Sequence, residues 1–146
     1  MVTELKQQTI MQRASSPDEM KKISNSFHGT SVGFVPTMGY LHEGHMSLIK
    51  KSLSTCNHTV VSIFVNPIQF GSNEDLDIYP RDLERDIEKL ESAGVDVLFQ
   101  PQRETIYPKE FKTYVQVDEI TDQVCGKNRP WLFKGVATIV LKLFNI

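Results

Sequence analysis

Apolar residues along the chain alternate between short continuous runs and runs at helical spacing. Residues 31–35, 59–65 and 95–99 are almost continuously apolar, as buried parallel strands are. The segments between these runs place apolar residues three or four positions apart, which predicts amphipathic helices. Because strands and helices alternate, the sequence predicts an α/β fold with a doubly wound parallel sheet and helices on both faces.

Proline residues mark the expected limits of the early elements. Residues 8–13 predict a short first strand. Ser16 is a suitable N-cap and Pro17 a suitable first helical residue, so a helix should follow and run to about Phe27. Pro36 has no N–H to donate, and we expect it to end the strand before it.

Two helices are predicted between the central strands. One should begin near Glu43 and run to about Leu53, and another should begin at Pro80 and end at Gly94. On the second of these helices, Asp86 and Lys89 lie three positions apart, as do Asp82 and Arg85. We interpret these charges as a solvated outer face. The inner face is predicted to carry Leu83, Ile87 and Leu90.

The last third of the chain is less regular. Residues 113–117 alternate in polarity and predict a strand at a sheet edge. Residues 133–146 predict a helix buried on most sides, because its polar stripe consists only of Thr138, Lys142 and Asn145. Since the chain stops within this apolar segment, we expect it to be the front part of a longer protein.

Composition excludes several classes of protein. The 146 residues carry a formal net charge of -2, so no global basic field favours nucleic acid or an anionic membrane. No apolar run is long enough to span a bilayer, and the N-terminus has no apolar signal region. We therefore expect a cytoplasmic protein of one domain, without nucleic acid or membrane partners.

The loops after the predicted central strands should meet at the carboxyl edge of the sheet, where open α/β sheets bind ligands. In the first of these loops, residues 36–45, His42 and His45 lie three positions apart at the expected start of a helix. A helix N-terminus attracts anions, and imidazoles can bind phosphate oxygens. Two other interpretations stay open: the pair can bind a metal, or one histidine can be a packing residue.

The second loop, residues 66–79, also carries polar side chains. The amide of Gln69 can donate a hydrogen bond to a carboxylate or hydroxyl group and can also accept one. Asn66 directly follows a buried strand and either binds a ligand or shapes a turn with Pro67. Tyr79 either reaches a ligand or packs before the next helix. This loop is therefore the second candidate for ligand binding.

The first loop resembles a known family. His42-Glu43-Gly44-His45 is similar to the H-x-G-H signature of the nucleotidyltransferase superfamily. The longer blocks VPTMGYLHEGHMSLIK and VSIFVNPIQFGSNEDLDIYPR resemble the pantothenate synthetase (pantoate–β-alanine ligase) family more specifically. The resemblance implies that residues 1–146 form an N-terminal, Rossmann-like nucleotide- and pantoate-binding domain. It also implies that the C-terminal lid domain of the family is absent from this chain.

The resemblance further implies an ATP-dependent ligase. In such an enzyme, pantoate and ATP give pantoyl adenylate and pyrophosphate, and β-alanine then releases pantothenate and AMP. Mg²⁺ is expected with ATP, held mainly by phosphates rather than by a metal site of the protein, and a homodimer is expected by analogy. The 146-residue chain alone is expected to be inactive. The alternative is a short, non-catalytic homologue that binds nucleotide or pantoate.

Roles in the family map onto individual residues of this chain. His45 matches the catalytic acid, and His42 matches its phosphate-binding companion. The segment that matches the ATP-binding residues is Met38, Gly39, Tyr40, Leu41, His42, Glu43, Gly44 and His45. The residues that match the pantoate and β-alanine pocket are Pro36, Thr37, Met38, Asn66, Gln69, Tyr79 and Arg129. The chain departs from the family at Trp131-Leu132, where Gly-His is usual.

Overall fold

A computed structural model describes residues 10–71, 74, 76–119 and 125–146 of the chain. The strands in this part are β1 (Gln12–Ala14), β2 (Val32–Thr37), β3 (His58–Ile63) and β4 (Val97–Phe99). The helices are α1 (Pro17–Ser26), α2 (Glu43–Thr55), α3 (Leu83–Ala93), α4 (Arg103–Ile106), α5 (Cys125–Asn128) and α6 (Pro130–Phe144), and a 3-10 turn spans Pro67–Gln69.

The four strands form one parallel sheet in the order β1-β4-β3-β2. Helix α2 connects β2 to β3, and α3 lies between β3 and β4, as parallel neighbours require. The central strands β3 and β4 are almost entirely buried. This architecture confirms the predicted α/β fold with a doubly wound parallel sheet.

Two hydrophobic clusters lie on opposite faces of the sheet. Val60 and Val61 are consecutive in β3, yet they belong to different clusters, because successive strand side chains point to opposite faces. Helices α2 and α3 cover one face, with Ile49 and Leu90 fully buried. Helices α1 and α6 contribute to the other, with Met20 and Ile139 buried. Helices on both faces leave the ends of the strands as the place for a ligand.

The beginning of the chain follows its local signals closely. Residues 8 and 9 of the predicted first strand lie outside the described residues, and the strand itself spans Gln12–Ala14. The Oγ of Ser16 accepts a hydrogen bond from the N–H of Glu19 at 3.3 Å and caps α1 as predicted. Gly94, with φ of 82°, ends α3 in the left-handed conformation that glycine favours.

Two predictions about proline were wrong. Pro36 does not end its strand, since β2 continues to Thr37 with Pro36 opposite Ser62. Proline is tolerated there because β2 is the last strand in the sheet order and can leave one side of its backbone unpaired. Pro80 does not start the third helix either. The side chain of Asp82 accepts from the N–H of Arg85 at 3.3 Å, and this cap makes Leu83 the first helical residue.

The last part of the chain also differs from expectation. Residues 113–117, all of which the structure describes, form no strand. The N–H of Val115 instead donates to the Oγ1 of Thr138 at 2.9 Å, so Thr138 is buried rather than part of a polar stripe. Helix α6 is covered on one side only, because Leu141 and Phe144 are 52% and 68% exposed. No helix in the described ranges is long and apolar enough to cross a membrane.

Helix α6 packs directly on the 3-10 turn at Gly135. A methyl group there would lie 2.6 Å from the carbonyl oxygen of Ile68 and 2.8 Å from the amide nitrogen of Gln69. Both neighbours are backbone atoms and cannot rotate away. Gly135 therefore sets how closely α6 approaches the turn that carries Gln69.

We predict that Gly135→Ala destabilises the protein. In a helix interior this change ordinarily stabilises by about 0.5–1 kcal/mol, because alanine has the better helix propensity. Here the clash with the turn should reverse the sign and lower the free energy of unfolding by about 1–3 kcal/mol. Urea unfolding followed by circular dichroism measures the difference. An increase in stability would show that α6 can move away from the turn without cost.

Candidate active site

The loop between β2 and α2 turns sharply at two residues. Gly39 has φ of 82° and Tyr40 has φ of 53°, so both adopt the left-handed conformation. Thr37 anchors the entry to this turn, since its Oγ1 donates to the carbonyl oxygen of Ser62 at 2.8 Å and accepts from the N–H of Gly39 at 3.2 Å. The turn directs the next backbone N–H groups towards α3.

The carboxylate of Asp86 receives those N–H groups. Its Oδ2 accepts from Tyr40 and its Oδ1 from Leu41, each at 2.7 Å, and the residue is only 2% exposed. Lys89 of the same helix donates from Nζ to the carbonyl oxygen of Leu41. The interpretation of Asp86 and Lys89 as a solvated outer pair was therefore wrong. Asp86 lies beside Ile87 and four residues before the fully buried Leu90, and this position was the available signal. Leu83, predicted on the inner face, is 38% exposed.

The two histidines are held by the backbone at the start of α2. The Nδ1 of His42 accepts from the N–H of Gly44 at 3.1 Å, and the Nδ1 of His45 accepts from the N–H of His42 at 3.4 Å. A side chain at position 44 would lie 2.9 Å from the His42 ring, which explains the glycine between them. Because each Nδ1 is an acceptor, these bonds assign the proton of the neutral rings to Nε2. Both rings can therefore donate from Nε2 without being charged.

Local surroundings favour the neutral form of His45. Burial lowers the pKa of His45 below its ordinary value of 6.5, and the nearby His42 acts in the same direction. Asp86 opposes the shift, and Lys89 adds to it. The ring centroids of the two histidines are 4.1 Å apart, so protonating both would place two cations side by side. At neutral pH His45 is therefore a neutral hydrogen-bond donor.

A cavity of about 350 Å³ opens beside His45 at the carboxyl edge of the sheet. It brings together both candidate loops and one side of α6. Its lining residues are Pro36, Thr37, Met38, His45, Phe64, Asn66, Gln69, Tyr79, Val136, Ile139, Val140 and Leu143. Six of the seven residues matched to the pantoate pocket thus line one cavity. The apolar wall from α6 was not among the expected site residues, although its apolar pattern was evident.

Of the matched nucleotide segment, only Met38 and His45 line this cavity, and the other residues, His42 among them, do not. Gly39 and Tyr40 line a neighbouring recess of about 230 Å³, which shares Met38 with the main cavity. The side chain of Leu41 is buried in the core, so only its backbone is available to the loop. Glu43 is exposed and borders a separate shallow recess. The loop therefore offers mainly backbone groups and imidazoles to a ligand.

Asn66 and Gln69 are hydrogen-bonded to each other at the floor of the second loop. The Nδ2 of Asn66 donates to the Oε1 of Gln69 at 2.8 Å and to the carbonyl oxygen of Gly135 at 3.1 Å. The Oδ1 of Asn66 accepts from the hydroxyl of Tyr107 at 2.8 Å. Asn66 is 1% exposed. The amide of Asn66 is thus hydrogen-bonded to other groups of the protein, and the Nε2 of Gln69 is available to donate to a ligand.

Tyr79 and Arg129 differ in their relation to the cavity. Tyr79 lines it and packs edge-on against Phe70, and burial raises the pKa of its hydroxyl. Arg129 is not a lining residue, and its guanidinium pairs with Glu74, with 2.8 Å from Nη2 to Oε2. Hydrogen bonding from Arg129 lowers the pKa of Glu74. The structure therefore places Arg129 in an ion pair beside the loop rather than in the cavity.

A metal site is not evident in the described parts of the chain, where no group of three histidine, cysteine, aspartate or glutamate side chains converges. The carboxylate of Asp86 contacts the histidine loop, and both of its oxygens accept backbone N–H groups. The loop is thus built to present hydrogen-bond donors.

These features define a Rossmann-like α/β domain with an H-x-G-H helix start at the carboxyl edge of its sheet. The sequence model of the pantoate-beta-alanine ligase family matches residues 10–146, and the chain belongs to this family. It is 60% identical over 129 residues to the pantothenate synthetase of Caldicellulosiruptor saccharolyticus, covering 88% of this chain and 45% of that protein. It is 61% identical over 118 residues to that of Acetivibrio thermocellus, covering 81% and 42%.

Solved structures agree with this assignment. Pantothenate synthetase from Thermus thermophilus superposes with a TM-score of 0.84 at 47% identity, covering 92% of this chain and 48% of that one. Pantoate-beta-alanine ligase from Francisella tularensis, complexed with beta-gamma ATP and beta-alanine, gives a TM-score of 0.88 at 44% identity, covering 92% and 52%. The chain thus spans about half the length of the relatives that it matches.

We predict that Asp86→Asn lowers the free energy of unfolding by about 2–3 kcal/mol. An asparagine keeps one acceptor oxygen but turns an N–H₂ group towards the other backbone N–H, which is left buried without a partner. The matched control is Glu88→Gln, the same chemical change at an exposed position of α3, which should stay within about 0.5 kcal/mol of wild type. Urea unfolding compares the two variants, and equal losses would contradict the role of Asp86.

We predict that His45 titrates below 6.5 and is the neutral Nε2–H tautomer at pH 7. Nitrogen-15 NMR of the imidazole measures both properties. Because the fold lowers this pKa, the unfolded chain binds more protons as the pH falls below 6.5. The contribution of His45 to stability is therefore complete above that pH and decreases below it. A neutral Nδ1–H tautomer, or a pKa above 6.5, would contradict the described hydrogen bonds.

Proposed function

We propose that this chain is the nucleotide- and pantoate-binding part of a pantothenate synthetase. In the proposed reaction a carboxylate oxygen of pantoate attacks the α-phosphorus of ATP, and pyrophosphate leaves. The amine of β-alanine then attacks the acyl carbon of pantoyl adenylate, loses a proton and displaces AMP. The observation that carries this proposal is the single cavity in which His45 at the start of α2 faces the Gln69 loop.

The start of α2 suits the phosphates of ATP. The helix is 13 residues long, and its N-terminus presents the positive end of the helix dipole. His42 and His45 add two Nε2–H donors, which can bind phosphate oxygens and stabilise charge that develops during adenylation. As a neutral ring, His45 can donate a hydrogen bond from Nε2 to the leaving pyrophosphate, whereas transfer of a proton requires its protonated form. These properties support phosphate binding by both histidines. The role of catalytic acid for His45, which follows from the resemblance, requires that the ring be protonated when ATP is bound.

The other side of the cavity suits pantoate. The free Nε2 of Gln69 can donate to a carboxylate oxygen, and Tyr79 adds a hydroxyl at the same cavity. Val136, Ile139 and Val140 of α6 supply an apolar wall. Pantoate combines a carboxylate and hydroxyl groups with a carbon that carries two methyl groups, so it needs both kinds of wall. We assign Asn66 to supporting Gln69 and Arg129 to shaping the loop through Glu74.

Mg²⁺ fits this arrangement as a partner of the nucleotide. Since both oxygens of Asp86 are engaged by the backbone, the ion would be held mainly by phosphate oxygens, whose charge it would neutralise. The complex of the Francisella tularensis ligase with beta-gamma ATP and beta-alanine supports ATP and β-alanine as ligands. A homodimer, which follows from the resemblance, and a cytoplasmic location, which follows from the composition, are further parts of the proposal.

We expect the 146-residue chain to bind ligands without making measurable pantothenate. Acyl adenylates hydrolyse when water reaches them, and effective closure of a site is part of catalysis by such enzymes. The cavity described here is open at the sheet edge, so a separate lid is needed in the proposed mechanism. Pantothenate formation at high protein concentration, followed by mass spectrometry, would measure any turnover.

The proposed function predicts that two substitutions weaken the binding of different ligands. Gln69→Ala should weaken pantoate about two- to tenfold and leave MgATP unchanged, because it removes one hydrogen bond to pantoate. His45→Ala should weaken MgATP about tenfold and pantoate much less, because it removes a donor to a charged phosphate. Calorimetric titration of the 146-residue chain with each ligand separately measures the four affinities.

Matched controls separate these effects from general loss of structure. Gln116 and His28 are exposed and do not line the cavity, so Gln116→Ala and His28→Ala should bind both ligands like wild type. Equal losses of both ligands in Gln69→Ala would indicate a structural role for that residue. A wild-type chain that binds neither ligand would contradict the proposed function.

A further inference from the structure

A hydrogen-bonded chain leads from Tyr107, outside the cavity, to Gln69 inside it. The hydroxyl of Tyr107 donates to the Oδ1 of Asn66 at 2.8 Å, and the Nδ2 of Asn66 donates to the Oε1 of Gln69 at 2.8 Å. Tyr107 does not line the cavity, whereas Asn66 and Gln69 do. The hydrogen-bonded route from Tyr107 to the cavity therefore passes through the two amides. The Tyr107 ring also lies 6.1 Å from that of Phe64, a lining residue, but this ring contact does not involve the hydroxyl.

The direction of this chain follows from its partners. The carbonyl oxygen of Gly135 can only accept, so the nitrogen side of the Asn66 amide must face it, at 3.1 Å. The second N–H of that nitrogen then requires an acceptor, which is the Oε1 of Gln69. Burial raises the pKa of Tyr107, so its hydroxyl keeps its proton and can donate to the Oδ1 of Asn66. Each side chain in this hydrogen-bonded series therefore has one orientation that satisfies its partners.

This orientation decides what Gln69 offers to a ligand. The two ends of a glutamine amide have nearly the same size, so packing alone cannot distinguish them. With its Oε1 held by Asn66, Gln69 presents Nε2 and is a donor. With the amide reversed, it would present an oxygen and repel a carboxylate.

We propose that Tyr107 is a positioning residue that sets the ligand preference of the cavity, by fixing through Asn66 the direction in which the Gln69 amide faces. This inference rests on the proposed function, because the ligand that benefits is a carboxylate such as that of pantoate. Without the Tyr107 hydroxyl, the buried Oδ1 of Asn66 has lost its donor. The Gly135 carbonyl still favours the same orientation of Asn66, but the unpaired Oδ1 costs about 1–3 kcal/mol, so both amides are held less firmly.

The test compares two ligands that differ at one group. Pantoate presents a carboxylate oxygen, and pantoamide, its neutral amide, can present an N–H₂ group at the same position. We expect Tyr107→Phe to reduce the preference for pantoate over pantoamide about fivefold in calorimetric titrations. Tyr114→Phe, which removes a hydroxyl from an exposed tyrosine of the same aromatic cluster, should leave the preference unchanged. Equal weakening of both ligands by Tyr107→Phe would overturn the proposal.

A double-mutant cycle shows whether Tyr107 acts through Gln69. In a Gln69→Ala background, Tyr107→Phe should no longer change pantoate affinity, because there is no amide left to orient. Additive losses from the two substitutions would indicate separate effects and overturn the proposal.

Side-chain NMR decides the inference independently of pantoate. In wild type, the Asn66 N–H₂ protons are both hydrogen-bonded and should exchange slowly with water, and Tyr107→Phe should accelerate this exchange and shift the Gln69 amide resonances. Unchanged Gln69 resonances would overturn the positioning role. If wild type bound no pantoate while these resonances responded as expected, the proposed function would fail and the positioning role would stand.

Discussion

The contact between the Asp86 carboxylate and the backbone N–H groups of Tyr40 and Leu41 is the constraint on which the candidate site depends. Gly39 and Tyr40 turn through left-handed conformations, and this turn places two backbone N–H groups in a largely buried position. Each would cost about 1–3 kcal/mol if it lacked a partner. Asp86 satisfies both from a rigid helix and thereby fixes where α2 begins. The positions of His42 and His45 follow from that start.

The opposite wall of the cavity is fixed by an independent contact. Helix α6 approaches the 3-10 turn closely at Gly135, whose carbonyl oxygen also accepts from Asn66. One wall is thus attached to α3 through a carboxylate, and the other to α6 through an amide. Because the two attachments share no residue, a change in one should leave the geometry of the other largely intact. This separation is consistent with distinct subsites for nucleotide and carboxylic acid.

Periodicity and local capping signals were sufficient to predict the parallel sheet, α1 and α2, because these elements bury one continuous apolar face. The same reasoning failed where a polar side chain forms hydrogen bonds with backbone groups that are distant in the sequence. Asp86 matched a common surface ion-pair pattern with Lys89, yet its partners lie some 45 residues earlier in the chain. The segment 113–117 alternated like a strand, but its backbone pairs with Thr138. Such long-range partners leave no periodic signal in the sequence.

The lining of the main cavity also explains why a distant hydroxyl can influence ligand choice. Its lining residues include no lysine or arginine, so in the proposed function the described wall binds an anion through dipoles and N–H donors. A cationic side chain attracts a carboxylate in any orientation, whereas an amide attracts it with one end and repels it with the other. In this proposal, Gln69 can therefore distinguish a carboxylate from an amide only while the orientation of its own amide is fixed. Sequence reasoning proposed Gln69 as a site residue, but its contacts with Asn66, and through it with Tyr107 and Gly135, became visible only in the fold.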